Sequence, residues 1–65
     1  MPKETTSNAV DRALSIIELV AESSRGQTNS DLSRRLKIPK SSASYILRVL
    51  ENRAYLQRDS EGKYR

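Results

Sequence analysis

Residues 28–52 read TNSDLSRRLKIPKSSASYILRVLEN, and this stretch decides the fold. Thr28 and Asp31 stand three positions apart, as in a capping box, where a hydroxyl and a carboxylate satisfy free amides at the start of a helix. Pro39 ends that helix because proline forces Ile38 out of the helical region, and proline is also well placed to begin the next helix. The stretch therefore predicts two helices joined by a short turn.

The second helix of this pair, expected over residues 39–52, has one apolar face and one polar face. At about 100° per residue, its apolar side chains gather on one side, at Ala43, Ile46, Leu47 and Leu50. Its opposite side carries Ser41, Ser44, Tyr45, Arg48 and Asn52. We expect the apolar side to face the core and the polar side to face solvent or a partner.

A further helix is predicted upstream, beginning near Asn8 and ending before Ser24. Residues 1–7 lack periodicity and are expected to form a flexible tail, so the folded domain is residues 8–65. The predicted inward stripe of the helix is Val10, Ala13, Leu14, Ile17, Val20 and Ala21. Ile16 and Leu19 lie off that stripe, and they are either isolated exposed residues or a face that packs against a second copy of the chain.

Downstream, residues 55–58 and 63–65 alternate with period two around a turn at residues 59–62, which predicts a β-hairpin. Tyr55 and Tyr64 are interpreted as packing residues of this hairpin rather than as platforms for stacking bases. The fold class is therefore mainly α, with three helices followed by a small hairpin. Arrangements of this kind are called winged helix-turn-helix domains.

Composition excludes several classes of protein. The chain has 65 residues, no cysteine and no histidine, which excludes a disulfide framework and makes a zinc site very improbable. No apolar run approaches the roughly 18 residues of a membrane span, and no secretory signal is present. We therefore expect a cytoplasmic domain without metal or cofactor. Apolar residues make up only 35%, so its core is small and open to completion by a partner chain.

Charge divides the chain into two halves. Residues 1–33 carry three basic and five acidic side chains, whereas residues 34–65 carry nine basic and three acidic ones. A basic half of this kind indicates a polyanion such as nucleic acid, although a merely solvated surface is the alternative.

A helix-turn-helix places its second helix in the major groove of double-stranded DNA. Serines such as Ser41 and Ser42 let the backbone approach phosphate closely, and Arg48 can form a bidentate pair with a guanine edge. The alternatives are that the two serines only begin the helix and that Arg48 is a solvated helix charge. Tyr45 either contacts DNA or covers the hairpin. Arg34 and Arg35 are either clamps on the DNA backbone or plain surface charges. The hairpin would act as a wing along the phosphates through Arg58, Lys63 and Arg65.

Two other functions compete with DNA binding. In the first, the domain is a winged-helix module that docks a protein, and its net charge is incidental. In the second, it is an enzyme, but Lys40 and Ser41 are adjacent on a helix and point about 100° apart. Because no other acid–base pair is visible, the sequence argues against an enzyme.

Residues 10–19, VDRALSIIEL, resemble the first helix of the isocitrate lyase regulator (IclR) family of bacterial transcription factors. Residues 38–43, IPKSSA, are similar to that family's turn and recognition-helix start, and residues 55–65 are similar to its wing. The sequence departs from the family pattern at Lys37 and Ala54, where glycine is usual.

The resemblance implies a homodimer that pairs through the first helix, with Ile16 and Leu19 at the interface, and reads a pseudo-palindromic operator. It also implies that a small-molecule effector binds a C-terminal domain beyond this sequence. On the family's pattern, the recognition-helix positions that face DNA are Lys40, Ser41, Ser42, Ser44, Tyr45 and Arg48.

Overall fold

The computed structural model describes residues 8–65 and contains three helices in the predicted order. They are α1 (Ala9–Glu22), α2 (Asn29–Leu36) and α3 (Lys40–Asn52). The predicted tail over residues 1–7 lies outside the described residues. Within residues 8–65, no helix is long and apolar enough to cross a membrane.

The helix starts follow the local sequence closely. The side chain of Asn8 accepts a hydrogen bond from the Asp11 amide at 2.8 Å and so caps α1. At α2, Thr28 Oγ1 accepts from the Asp31 amide at 3.0 Å, and the Asp31 carboxylate accepts from the Thr28 amide at 3.1 Å. This confirms the predicted capping box. Pro39 stands at the N-cap of α3, as expected.

Two non-glycine residues among residues 8–65 adopt left-handed backbone conformations. Lys37 caps the C-terminus of α2 with φ 58°, and Ala54 follows α3 with φ 69°. An L-residue in this region brings its Cβ close to a carbonyl oxygen, which costs about 1–2 kcal/mol. Both are the positions where the related family usually has glycine, so each stores backbone strain in this chain.

The three helices enclose a small core that is aliphatic apart from one tyrosine ring. Ser33 is also buried, and its hydroxyl donates to the Asn29 carbonyl oxygen at 2.9 Å. The buried apolar side chains are Ile16, Val20, Leu32, Ala43, Ile46, Leu47, Leu50, Leu56 and Tyr64.

The expectation that Ile16 lies off the buried stripe of α1 is wrong. Ile16 is fully buried, and its side chain belongs to the core of the same chain, so it is not available to a second copy. The inward stripe is Ala13, Ile16, Ile17 and Val20, which follows the i, i+3, i+4, i+7 spacing of an amphipathic helix. Leu19 packs against the edge of this core, and its predicted dimer contact stays a prediction.

The face of α1 that the sequence placed inward is partly exposed instead. Val10 is 68% exposed, Leu14 is 54% exposed, and Ala21 is also exposed. At about 100° per residue, these three side chains lie within about 40° of one another. We call Val10, Leu14 and Ala21 the outer stripe of α1.

The C-terminal segment folds back on itself and against the α1–α2 connection. Gln57 and Arg65 exchange two backbone hydrogen bonds, of 3.1 and 2.8 Å, and Tyr64 exchanges two with Gln27, of 3.0 and 2.7 Å. Within residues 8–65 these pairings count as isolated bridges rather than strands, so the winged hairpin stays a prediction. The packing role is confirmed for Tyr64, which is 8% exposed, and is wrong for Tyr55, which is 65% exposed because Leu56 takes the buried position.

Gly26 makes the contact between these two segments possible. Its φ is 86°, and a Cβ atom at this position would lie 3.0 Å from the Tyr64 carbonyl oxygen. Only glycine accepts both the positive φ and the close approach without strain. The bridge between Gln27 and Tyr64 therefore depends on this residue.

Candidate nucleic-acid interface

The outer face of α3 is polar and basic, as the sequence predicts. Its inner face is anchored in the core by Ala43, Ile46, Leu47 and Leu50, which fixes the direction of the outer side chains. Ser42 is half-buried at the edge between the two faces. The exposed members of the predicted set are Lys40, Ser41, Ser44, Tyr45 and Arg48.

Asn29 holds one of these side chains in place. Its Nδ2 donates a hydrogen bond of 2.6 Å to Ser44 Oγ, which ties the first turn of α2 to the exposed face of α3. The other amide atom, Oδ1, is buried without a partner among residues 8–65. Sequence reasoning missed Asn29, because only the crossing of the two helices brings residues 15 positions apart into contact.

A cleft of about 300 Å³ lies between the start of α1 and the start of α3. Sequence reasoning assigned Ser41, Ser42 and Tyr45 to the DNA-facing surface but did not include Arg12. Arg12 is therefore, after Asn29, a second residue whose position in the site only the tertiary structure reveals. The cleft is lined by Ala9, Arg12, Ser41, Ser42, Tyr45 and Ile46.

A second, more open cleft of about 440 Å³ lies between α2 and the start of α3. It brings Arg34 and Lys40 to one surface together with Ser30, Ser33 and Ile38. Arg34 also forms an exposed ion pair of 3.1 Å with Asp31, so its charge is partly offset within the chain. Arg35 is exposed, and it is not among the residues that line this cleft.

The three predicted wing cations all have intramolecular partners. Arg65 Nε lies 3.0 Å from a carboxylate oxygen of Asp59, and Lys63 Nζ lies 3.8 Å from one of Glu61. The guanidinium of Arg58 lies over the Tyr64 ring, 6.0 Å from its centre. In contrast, no ion pair within residues 8–65 involves Lys40 or Arg48. The two cations of α3 therefore have no ion-pair partner among residues 8–65, whereas each predicted wing cation has an intramolecular partner.

Comparisons with known proteins place the chain in a family. The family model described as the IclR helix-turn-helix domain matches residues 9–60. The chain belongs to the IclR helix-turn-helix family. A search of curated proteins gave no match for this IclR domain.

The crystal structure of the Agobacterium tumefaciens repressor BlcR is similar to this IclR domain, with a TM-score of 0.81 and 40% sequence identity. The similarity covers 95% of the IclR domain and 25% of the BlcR chain. The IclR domain thus corresponds to about a quarter of the length of that repressor.

Two carboxylates of the IclR domain have lowered pKa values. Hydrogen bonds from Thr28, first from its backbone amide and then from its hydroxyl, lower the pKa of Asp31 from its ordinary 3.8. The backbone amide of Lys63, assisted by the Arg65 side chain and the Glu61 amide, lowers the pKa of Asp59 from the same value. Both carboxylates stay ionised where they organise the helix start and the C-terminal turn.

Two features of residues 8–65 of the IclR domain bear on chemistry other than binding: the grouping of potential metal ligands and the nearest nucleophile–amine pair. Residues 8–65 contain no group of three or more acidic, cysteine or histidine side chains that could hold a metal ion. Lys40 and Ser41 lie in consecutive positions at the start of α3, where their side chains diverge by about 100°. What the arrangement offers is a rigid helix with cations and hydroxyls on its exposed side.

Proposed function

We propose that this chain is the sequence-specific DNA-binding domain of a bacterial transcriptional regulator. Helix α3, with Pro39 at its start, inserts into the major groove of double-stranded DNA, and the helix start lies nearest to the base edges. BlcR is described as a repressor, and its similarity to this chain supports the assignment to transcriptional regulation.

The single observation that carries this proposal is the division of α3 into two faces. Its apolar side is buried against α1 and α2, and its exposed side presents Lys40 and Arg48 without intramolecular ion pairs among residues 8–65. A helix fixed on one side and cationic on the other matches the shape and charge of a major groove. Within this face, Arg48 is the best candidate to read a guanine, because its guanidinium can form two parallel hydrogen bonds.

Phosphate contacts would come from both sides of α3. Lys40 and Arg34 line one cleft at its start, and the predicted wing at residues 55–65 would approach the flanking backbone. Arg58, Lys63 and Arg65 would then exchange their present partners for phosphate oxygens. Because one side chain of each ion pair is exposed to solvent, this exchange costs little.

We further propose that the regulator is a homodimer acting on operators with two half-sites in the cytoplasm. A two-fold dimer of such domains places its half-sites about 34–36 Å apart or at a multiple of that distance. The outer stripe of α1, rather than the buried Ile16 or the half-buried Leu19 on the opposite side of the helix, would supply the contact between copies. Control by a small-molecule effector would require a further domain, which BlcR is long enough to contain.

Replacing Arg48 by alanine tests the base-reading role. Duplexes that bind the wild-type chain would first be selected from a random pool, and dissociation constants would be measured on a selected and on a random duplex. We expect Arg48→Ala to reduce the preference for the selected duplex by about 1–3 kcal/mol, with a much smaller loss on random DNA. Arg53→Ala, which removes an exposed cation just after α3, should retain the preference.

The salt dependence of binding separates DNA recognition from protein docking. The logarithm of the association constant should fall linearly with the logarithm of salt concentration, by about 0.9 for each phosphate contacted. A slope near zero, or equal losses on selected and random duplexes for Arg48→Ala, would contradict the proposal. A slope near zero would favour a protein-docking module instead.

A further inference from the structure

Among residues 8–65, Arg12 is the one charged side chain that lines the cleft between the starts of α1 and α3. The cleft, with a volume of about 300 Å³, is open on one side and is otherwise lined by hydroxyls and small apolar groups. Ser41, Ser42 and Tyr45 contribute these hydroxyls, and all three belong to the proposed DNA-binding helix. A cation from α1 therefore lies beside the part of α3 that would enter the groove.

The Arg12 side chain has no counter-ion among residues 8–65. None of the ion pairs or side-chain hydrogen bonds in that range involves it. Its Nε atom is buried and lacks a hydrogen-bond acceptor within the described part of the chain. A guanidinium that is partly removed from water without an acceptor is unfavourable, and an anion in the adjoining cleft would offset that cost.

We propose that Arg12 binds a backbone phosphate of DNA in this cleft, together with the hydroxyls of Ser41 and Ser42. The inference rests on the proposed function and extends it to a residue of α1. Guanidinium groups hold phosphate through charge-assisted hydrogen bonds, and serine hydroxyls commonly donate to phosphate oxygens. The contact would fix the register of α3 along the groove without reading a base.

The position of Arg12 on α1 separates this role from dimer formation. At about 100° per residue, Arg12 lies about 160–200° from Val10, Leu14 and Ala21, which form the outer stripe. One side of α1 would therefore meet DNA while the other meets the second copy. Substitutions at Arg12 should accordingly leave the association of two chains unchanged.

The test is the salt dependence of DNA binding by the full 65-residue chain. Affinity for a 30-base-pair random-sequence duplex would be measured by fluorescence anisotropy between about 50 and 200 mM salt. Arg12→Gln should weaken binding about tenfold at fixed salt and reduce the salt slope by about 0.9. Arg12→Lys should retain the slope because it keeps the charge. Arg25→Gln, which removes an exposed cation in the connection that follows α1, should match the wild type in both respects.

Ala9→Glu provides a second variant if Arg12→Gln folds poorly. Ala9 is exposed and begins α1, where an acidic side chain is favourable to the helix, so the fold should be preserved. The new carboxylate would lie beside Arg12 in the cleft and repel phosphate. We expect the same loss of affinity and of slope as in Arg12→Gln, with a thermal unfolding midpoint no lower than that of the wild type.

The outcomes distinguish this inference from the function on which it rests. If the wild-type chain binds DNA but Arg12→Gln and Ala9→Glu bind with unchanged affinity and slope, the inference is wrong and the proposed function stands. The inference is also wrong if affinity falls in these variants without any change of slope, because a purely structural role would give that result. If the wild type itself shows no salt-dependent binding, the proposed function is wrong, and the inference that rests on it is wrong as well.

Discussion

Lys37 occupies a left-handed backbone conformation, which is unfavourable for a residue that has a Cβ atom. Replacing it by glycine removes the contact between its Cβ and the backbone, although glycine also increases the entropy of the unfolded chain. We expect Lys37→Gly to raise the free energy of unfolding by about 0.5–1 kcal/mol, the difference between these two effects. Thermal unfolding followed by circular dichroism would show this as a midpoint several degrees higher.

Lys37→Ala is the matched control, since it removes the charge and keeps the Cβ atom. It should leave the midpoint close to that of the wild type. Arg35→Gly, in the last turn of α2, should lower stability by about 1 kcal/mol because its conformation is helical. A midpoint for Lys37→Gly no higher than that for Lys37→Ala would show that the left-handed conformation costs nothing here.

At the residue scale, the sequence predicts features that depend on neighbouring residues, but it does not predict contacts between helices. The capping box at Thr28 depends on neighbours within four positions, so the sequence alone identifies it. The cap of α1 was expected at Asn8 or Ser7, and the unusual residue at Lys37 was noticed from the family resemblance. Asn29 and Arg12 gain their roles from residues on another helix. In the sequence each of them is one polar residue among many, and nothing there indicates which residue on another helix it lies near.

At the scale of elements, α1 shows why a helical wheel is insufficient. The helix carries two apolar faces, one around Ile16 and Val20 and one along Val10 and Leu14, and periodicity does not say which of them is inward. The packing of α2 and α3 selects the first face, which places the branched side chain of Ile16 in the core. Helix bounds were predictable because caps and proline set them, whereas helix orientation was not.

The stability of the C-terminal turn, at residues 59–62, should depend on pH. Because hydrogen bonds lower the pKa of Asp59 in the folded state, its ionised form contributes stability above pH 3.8, and this contribution is lost as pH falls through the lowered pKa. Asp59→Asn should therefore have a lower unfolding midpoint than the wild type at pH 7, with the difference vanishing near pH 2. Thermal melts at intervals across this range would measure it.

Arg65→Gln separates the two kinds of partner that Asp59 has. The largest cause of the lowered pKa is the backbone amide of Lys63, which donates at 3.0 Å and remains in this variant. Most of the acid dependence should therefore persist when Arg65 is replaced. If Arg65→Gln flattens the pH dependence as fully as Asp59→Asn does, the exposed ion pair and not the backbone amide organises the turn.

In the whole molecule, most of the positive charge and the exposed apolar stripe of α1 lie on different parts of the fold. Residues 34–65 carry most of the positive charge, and the two cations of α3, Lys40 and Arg48, form no ion pair among residues 8–65. Helix α1 carries three acidic side chains and one basic one, with its outer stripe exposed. The sequence was sufficient to divide the charge between the halves. It did not show that the proposed DNA-binding face and the outer stripe lie on separate sides of one small core.

This separation leads to the prediction that two copies associate through the outer stripe of α1. At millimolar concentration, sedimentation equilibrium should show the wild-type chain approaching twice its 7.4 kDa mass, and the Val10→Ser and Leu14→Ser double variant should stay monomeric. Because each α1 is net acidic, salt should strengthen this association while it weakens DNA binding. Tyr55→Ser, which removes another exposed apolar side chain, should dimerise as the wild type does. Equal association by the double variant would move the interface away from α1.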